Sequence, residues 1–495
     1  MHQRTGASGE GSGQDGTGAA RCPVGGDRLP GPRGRHEAPL EGPRPRYGAP
    51  VPTEVAPGVH GWLLLGYKEN LQALRDQDHF SADPRPWNPS GRPPAHTGAL
   101  PRDGEEHRRL RTPVVDALAG VGTPRLVPIV ERVASHLLGR AAAEGRIDLI
   151  GQFAAPLPAL VLNEVFGLPD DYGRLLADLA HRLWNGGPEA VEAAESAVRS
   201  YFTGLVARKR ARPGEDLTSR LLAHPHGLTD EEAAEALSRM WESGHELTTH
   251  LIGNALLKLL IDPPVWTAYV GGTLTPEDFI DVVMWTDCPV RTIAGRYTAT
   301  DVSFAGTRIR RGAPLLLSFD SAHTDPSVAP RDGFAMAGNR SHLAWGAGAH
   351  RCPATGFTRE LVRTAVDAVV DRLRGMVLDT EEPAWRDSPT VHGLEALPVR
   401  FAPTGERVEP ERDEPPAPRR RFRRKRRPAP QGARYQAPLA RKEPAQETAQ
   451  AAAVRRGKTR AAAPAGVGAR YQAPFAAPEE ESDLLERLLE DWRPR

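Results

Sequence analysis

Trp345-Gly346-Ala347-Gly348-Ala349-His350-Arg351-Cys352-Pro353 is the stretch on which the reading of this chain turns. It is a glycine-rich loop that ends in a cysteine at the mouth of a helix. The helix is marked by Leu361, Val362, Ala365, Val366, Val369, Val370 and Leu373, which keep the 3.6-residue period until Gly375. A thiolate placed there faces unpaired N–H groups and the positive end of the helix, both of which lower its pKa and stabilise anionic sulfur. Such a sulfur can ligate a metal. Glycines before it let the backbone pass close under a flat cofactor where side chains would collide. An ordinary turn with a buried cysteine has the same local features, so the choice between them rests on the rest of the chain.

Outward from this loop, residues Tyr47 to about Ala402 carry periodic apolar segments with caps and turns and form the folded body. Helices dominate it. Leu126, Ile129, Val130, Val133, Leu137 and Leu138 share one face of a segment opened by Pro124. The longest helix begins at Thr229, where Thr229 and Glu232 fit a capping box, and runs to Asp262-Pro263-Pro264. At about 1.5 Å per residue it spans close to 48 Å. Its second half is apolar nearly all round (Leu251, Ile252, Ala255, Leu256, Leu257, Leu259, Leu260), which predicts a buried central helix. Strand character is confined to Thr300 to Phe304, Thr307 to Arg310, Ala313 to Phe319 and Leu397 to Phe401. The fold class expected is mainly α with a small antiparallel β subdomain.

The two ends read differently. Residues 1–45 hold 17 Gly or Pro and three residues from Val, Leu, Ile and Phe, too little apolar area to offset chain entropy, which predicts a disordered leader. Beyond Pro403 the chain is rich in Ala, Pro and Arg and repeats Gly-Ala-Arg-Tyr-Gln-Ala-Pro at Gly432 to Pro438 and Gly468 to Pro474, either a docking motif or duplicated low-complexity sequence. Arg419 to Arg460 holds 15 basic and 2 acidic residues, so the overall net charge of +1 conceals an acidic body and a basic arm. Glu479 to Trp492 sets Leu484, Leu485, Leu488, Leu489 and Trp492 on one stripe, the pattern of an amphipathic helix in an otherwise disordered tail. Its acidic polar face suits a protein partner better than a membrane. Three scattered cysteines exclude a disulfide framework and thiolate zinc sites, and a cytoplasmic location is expected. No apolar run reaches the roughly 18 residues of a membrane span.

With its flanking residues, the Cys352 loop resembles the haem-binding loop of the cytochrome P450 monooxygenases. Gly348 stands four residues before the cysteine, Trp345 takes the place of the usual Phe seven before, and His350 that of the bacterial His two before. The resemblance runs along residues 46–402 and implies a P450 fold with the long central helix over a haem. It implies haem b (iron protoporphyrin IX) with Cys352 as axial thiolate. His107 and Arg111, an i, i+4 pair able to hold two carboxylates, match the family's propionate contacts, as do Arg296 and His350. Ser243-Gly244-His245-Glu246-Leu247-Thr248-Thr249 is similar to the family's oxygen-binding segment. That segment supplies a hydroxyl and a carboxylate to deliver protons during O–O cleavage. Glu246 and Gly244 are retained. Leu247 replaces the first Thr, and Thr248, about 100° further round the helix, is the remaining hydroxyl. A zinc-protease reading of His245-Glu246 and His250 fails because an i, i+5 spacing points the two rings about 140° apart.

A second departure lies at Asp281-Val282-Val283-Met284-Trp285, where the family's Glu-x-x-Arg would fall on Val282 and Trp285. Trp285 resembles the replacement in an actinobacterial subgroup that lacks the motif. The usual pair braces the haem loop, and a packed Trp can substitute, since apolar replacement of a buried ion pair is often neutral.

The function these resemblances imply is insertion of one oxygen atom from O2 into an apolar small molecule. The electrons would come from an external ferredoxin and ferredoxin reductase, because no Gly-x-Gly-x-x-Gly follows a strand and no cysteine cluster is present. The alternative is a haem-binding sensor or scaffold of altered catalysis whose tails recruit partners, a protein or an anionic surface for the basic arm. Removal of residues 403–495 is expected to leave the haem absorbance spectrum unchanged, and loss of haem on truncation would make the tail part of the fold.

Overall fold

The structure, a computed structural model, describes residues 49–403 except 57–58, 88–98, 100, 169–175, 180–181, 184–187, 305 and 330–332. The leader to residue 45, the repeats, the basic arm and the expected terminal helix lie outside the described residues. Helices α1 (Tyr67–Arg75), α2 (Gly104–Ala119), α3 (Thr123–Ala141), α4 (Pro156–Phe166), α5 (Pro188–Ala211), α6 (Leu217–Leu222), α7 (Asp230–Ile261), α8 (Pro263–Val270), α9 (Pro276–Thr286), α10 (Phe319–His323) and α11 (Thr355–Arg372) make up most of it.

The central helix α7 has the ends its sequence dictates. The Thr229 hydroxyl accepts the Glu232 N–H and the Glu232 carboxylate accepts the Thr229 N–H, so both halves of the capping box are made. Asp262 then caps α8 through the Val265 N–H, and Pro263 and Pro264 prevent continuation. From Leu251 to Leu257 every residue of α7 is buried, because helices α4, α5, α9 and α11 all pack on it. Helix α3 buries the predicted face from Leu126 to Leu138 and lies along α11. These helices share one large apolar core.

A second, smaller core lies between the β region and the Cys352 loop and includes Leu64, Phe80, Trp285, Leu315, Leu317, Phe319, Leu343 and Ala347. It covers a five-stranded sheet of order β1-β2-β8-β5-β3, built from Val51–Ala56, Val59–Leu64, Pro314–Ser318, Thr292–Thr298 and Phe80–Ser81. Its pairings are antiparallel except β2 with β8, which run parallel with Trp62 opposite Leu315. The strand expected over Thr300 to Phe304 pairs with its neighbour as the hairpin β6 (Val302–Phe304) and β7 (Thr307–Ile309). A three-stranded sheet joins β4 (Arg146–Asp148), β10 (Pro398–Arg400) and β9 (Val377–Leu378). Strand β1 carries Pro52, which a strand tolerates at the sheet edge, where β1 lies.

Thr229→Ala removes the side-chain half of the α7 capping box and is expected to lower the unfolding free energy by about 1–2 kcal/mol, read as a shift of the urea midpoint. A midpoint equal to that of the parent would show that packing alone sets the start of this helix.

Candidate functional site

The loop that begins at Trp345 is closed by its own backbone. The Cys352 N–H donates to the Trp345 carbonyl at 2.7 Å and the Gly346 N–H to Leu343 at 2.7 Å, with a single 3-10 turn at Gly348–His350 between them. Gly346 and Gly348 take φ of +68° and +69°, a region that glycine enters freely. At Gly348 there is a second reason: a Cβ there would sit 2.6 Å from the Leu74 carbonyl oxygen and 3.0 Å from Arg75 Cα. The close approach that this glycine permits is therefore to the end of α1, a neighbour that the local sequence did not identify. Ala344 packs on both apolar cores, so the loop occupies the seam between them.

Two residues separate Cys352 from the start of α11. Burial pushes its thiol up; the Ala354 N–H and the guanidinium groups of Arg111 and Arg351 pull it back down without cancelling the rise. This is a correction to the sequence expectation of a thiol lowered by the helix end, because desolvation in the protein alone outweighs the N–H groups and nearby cations. Arg111 also donates to the Arg351 carbonyl, which fixes its side chain against the loop.

Two guanidinium groups and two imidazoles converge beside this loop. His107 and Arg111 project from α2, Arg296 from β5 and His350 from the loop itself. The His107 and His350 rings lie 4.1 Å apart between centroids. Arg296 is aimed by a bulge: pairing of β5 with β8 slips by one residue between Ile293 and Arg296, with Gly295 at φ +102°. Arg296 donates to the Gly295 carbonyl at 2.8 Å and is 8% exposed. Burial first, then the charges of His350 and Arg111, hold His107 down to about 4. His350 is also lowered, by burial and by Arg296, against the opposing pull of Asp103.

Among the described residues, Asp103 is the one carboxylate that acts on all three of His107, Arg296 and His350. Burial raises its pKa, but its bonds to His350, the Ser81 hydroxyl and the Ala82 N–H win and hold it far below the carboxylate range. His350 Nε2 lies 3.0 Å from Asp103 Oδ1, and an ionised carboxylate only accepts, so Nε2 carries the proton. That leaves His350 Nδ1 buried without a partner. His107 Nε2 and Trp345 Nε1 are in the same condition. Unpartnered buried nitrogens are rare because each costs the desolvation of its group. The Trp345 N–H can donate to a bound anion as it stands, and the two imidazoles become donors on taking a proton, which an anion beside them favours; the residue types suit two carboxylates beside a thiolate. The site residues therefore fit the propionates and axial ligand of a haem.

Between Trp241 and His250 of α7 the part-exposed positions are Ser243, Gly244 and Leu247, whereas Glu246, Thr248 and Thr249 are buried. Leu247 packs against the core that contains Ala347 and Leu343 of the loop region. Thr248 shares a helical face with Trp241 and His245, which bond Asn163 Oδ1 at 3.3 Å and the Ala155 carbonyl at 3.1 Å respectively. The apolar side chain at position 247, not a hydroxyl, thus faces the loop. Glu246 Oε1 lies 3.2 Å from His250 Nε2 one turn on, a contact the sequence reading passed over after setting aside a zinc site.

The second departure is qualified by the structure. Val282 and Trp285 carry no charge pair, yet α9 still buries a carboxylate, Asp281, one residue before the expected position. The Trp285 indole N–H donates to the Asn339 carbonyl at 2.7 Å, upstream of the loop.

No family model matches the chain. It is 30% identical over 364 residues to Cytochrome P450 107B1 of Saccharopolyspora erythraea, covering 69% of this chain and 90% of the relative. It is also 30% identical over 389 residues to Cytochrome P450 monooxygenase PikC of Streptomyces venezuelae, covering 73% and 88% respectively. Among solved structures, CYP154C4 from Streptomyces sp. W2061 superposes with a TM-score of 0.65 at 28% identity, over 72% of this chain and 94% of that one.

His323, whose Nε2 accepts the Leu343 N–H at 2.8 Å, is held by burial at about 3. The unfolded ring titrates near ~6.5, so between the two values the unfolded chain takes a proton that the folded chain refuses. The stabilisation is whole above the unfolded value and falls as pH drops below it, by about 1.4 kcal/mol per pH unit. His323→Gln, which keeps an acceptor for Leu343, should flatten the fall of the urea midpoint between pH 6.5 and 5. An unchanged pH slope would show that His323 is protonated in the folded chain.

Proposed function

The chain belongs to the cytochrome P450 family, and we propose that it inserts one oxygen atom from O2 into an apolar small molecule, with electrons from a separate ferredoxin and ferredoxin reductase. It is a monooxygenase that binds haem b through a cysteine thiolate, and Cys352 is the residue we assign as that ligand. The observation that carries the assignment is the set of unpartnered buried nitrogens of His107 and His350, with Arg111 and Arg296 beside them, next to Cys352. When bound, the haem supplies the iron at which dioxygen is activated and one of its atoms transferred.

The chain's own residues have divided tasks. His107, Arg111, Arg296 and His350 orient the group by its carboxylates, with Asp103 fixing the ring of His350 through Nε2–H. Trp345 and Gly348 shape the loop around the sulfur. Arg111, Arg351 and the Ala354 N–H favour the anionic sulfur once a metal offsets its desolvation. On α7, Leu247 shapes the side towards the loop, Gly244 lies against Leu162 of α4, and Glu246, in contact with His250, is the carboxylate placed to pass a proton. Thr248 lies on the α4-facing side, which supports a passage of protons through Glu246 and water with Thr248 in a supporting place.

Leu247 favours a second reading, in which haem is bound but oxygen transfer is poorly coupled and the protein acts as a sensor or scaffold. Cys352→Ser is expected to abolish the thiolate-type absorbance band of the reduced protein with CO. A variant as red as the parent, with the same spectrum, would remove the assignment. With the parent protein and surrogate redox partners, NADPH consumption that rises several-fold with an apolar substrate supports the monooxygenase reading. Consumption that ignores every substrate supports the second.

A further inference from the structure

Asp281 is wholly buried in α9, and its partners come from both sides of the Cys352 loop. Arg359, in the second turn of α11 and so downstream of the cysteine, donates to Asp281 Oδ1 and also to the Glu277 carbonyl at 3.2 Å. From upstream, His342 Nε2 lies 3.4 Å from Asp281 Oδ1, and Arg340 Nε lies 3.6 Å from Oδ2. The carboxylate is held ionised: burial opposes this, but His342 and Arg359 outweigh it.

One turn along the same helix, Trp285 donates to the Asn339 carbonyl at 2.7 Å and stacks on Tyr67, with centroids 6.1 Å apart. The Tyr67 hydroxyl in turn donates to the Ser341 carbonyl at 2.6 Å. The Leu343 N–H goes to His323. All five consecutive residues from Asn339 to Leu343 are therefore tied to side chains of α1, α9 or α10. Two residues later the loop begins.

We propose that Asp281 and Trp285 are positioning residues that together hold the two ends of the Cys352 loop to α9, with Asp281 joining upstream to downstream and Trp285 securing the upstream end alone. Their roles are separable. Asp281 is a shared anchor, so its loss frees His342 and Arg359 at once and leaves a guanidinium and a buried imidazole facing a neutral amide. The indole N–H serves one carbonyl, and the ring stays useful as packing without it. A charge pair on one helix at i, i+3 is replaced here by a carboxylate that reaches the next helix and an indole that reaches the preceding segment. The assignment of a ligand to Cys352 is the reading on which the spectral half of this proposal rests. The restraint on residues 339–360 stands without it.

The test is hydrogen exchange of the full-length protein as purified, read by mass spectrometry, alongside its reduced spectrum with CO. Asp281→Asn should raise exchange at least several-fold in both 339–347 and 355–362 and convert part of the thiolate-type band to a band without thiolate. Trp285→Phe should raise exchange in 337–343 while 355–362 stays as in the parent. Should Asp281→Asn fail to fold, Arg359→Met replaces it: exchange should rise in 355–362, with Arg359→Lys restoring most of the protection. Exchange in 339–362 equal to the parent in the folded variants, or a rise spread evenly over the chain, overturns the proposal. If the loop loosens as described while Cys352→Ser leaves the spectrum untouched, the restraint stands and the ligand assignment falls.

Discussion

The structure around Cys352 answers to an electrostatic imbalance: His107, Arg111, Arg296 and His350 meet beside the loop, with Asp103 as the carboxylate that acts on His107, Arg296 and His350. Groups so placed lack water and face one another's charge, which is why burial lowers His107, Arg296 and His350 together and neighbouring cationic groups lower the two histidines further. Holding them there requires rigid supports. Arg296 has a bulged strand, His107 and Arg111 a helix, and His350 a loop closed by backbone bonds at both ends. An arrangement this costly for the protein alone is the mark of a ligand that brings the missing negative charge.

The central helix shows a different economy. Its cap, length and buried second half are those of a beam, and almost nothing about it departs from what packing requires. The departure is local, at Leu247, where the side facing the loop carries an apolar group. Glu246 then has His250 as its contact one turn away, and the neighbouring hydroxyl of Thr248 is committed to the opposite packing surface.

Much of this was legible in the chain itself. Thr229, Glu232 and the Asp262-Pro263-Pro264 stop define α7 because caps and prolines act within a few residues. The Cys352 loop and the His107/Arg111 spacing are local as well. What escaped is non-local. Asp103 reads as an unremarkable acid ahead of a helix, and only folding brings it 3.0 Å from His350, 247 positions away. Asp281 reads as a polar residue in an apolar run, and its partner Arg359 lies 78 positions on. The parallel pairing of β2 with β8 joins segments about 250 residues apart, and Gly61 weakens the strand signal at the near end. The expected lowering of the Cys352 thiol failed for a related reason: a helix end is visible in sequence, but the burial that overrides it is not.

The contact of Gly348 with the last turn of α1 has a mechanical consequence. Main chain meets main chain there with no side chain in between to flex or repack, so the two move as one piece. Helix α1 follows directly on the β1–β2 hairpin, and its Tyr67 is also fastened to Ser341. The amino-terminal hairpin, remote as it is in sequence, therefore stands one helix away from the loop that carries Cys352.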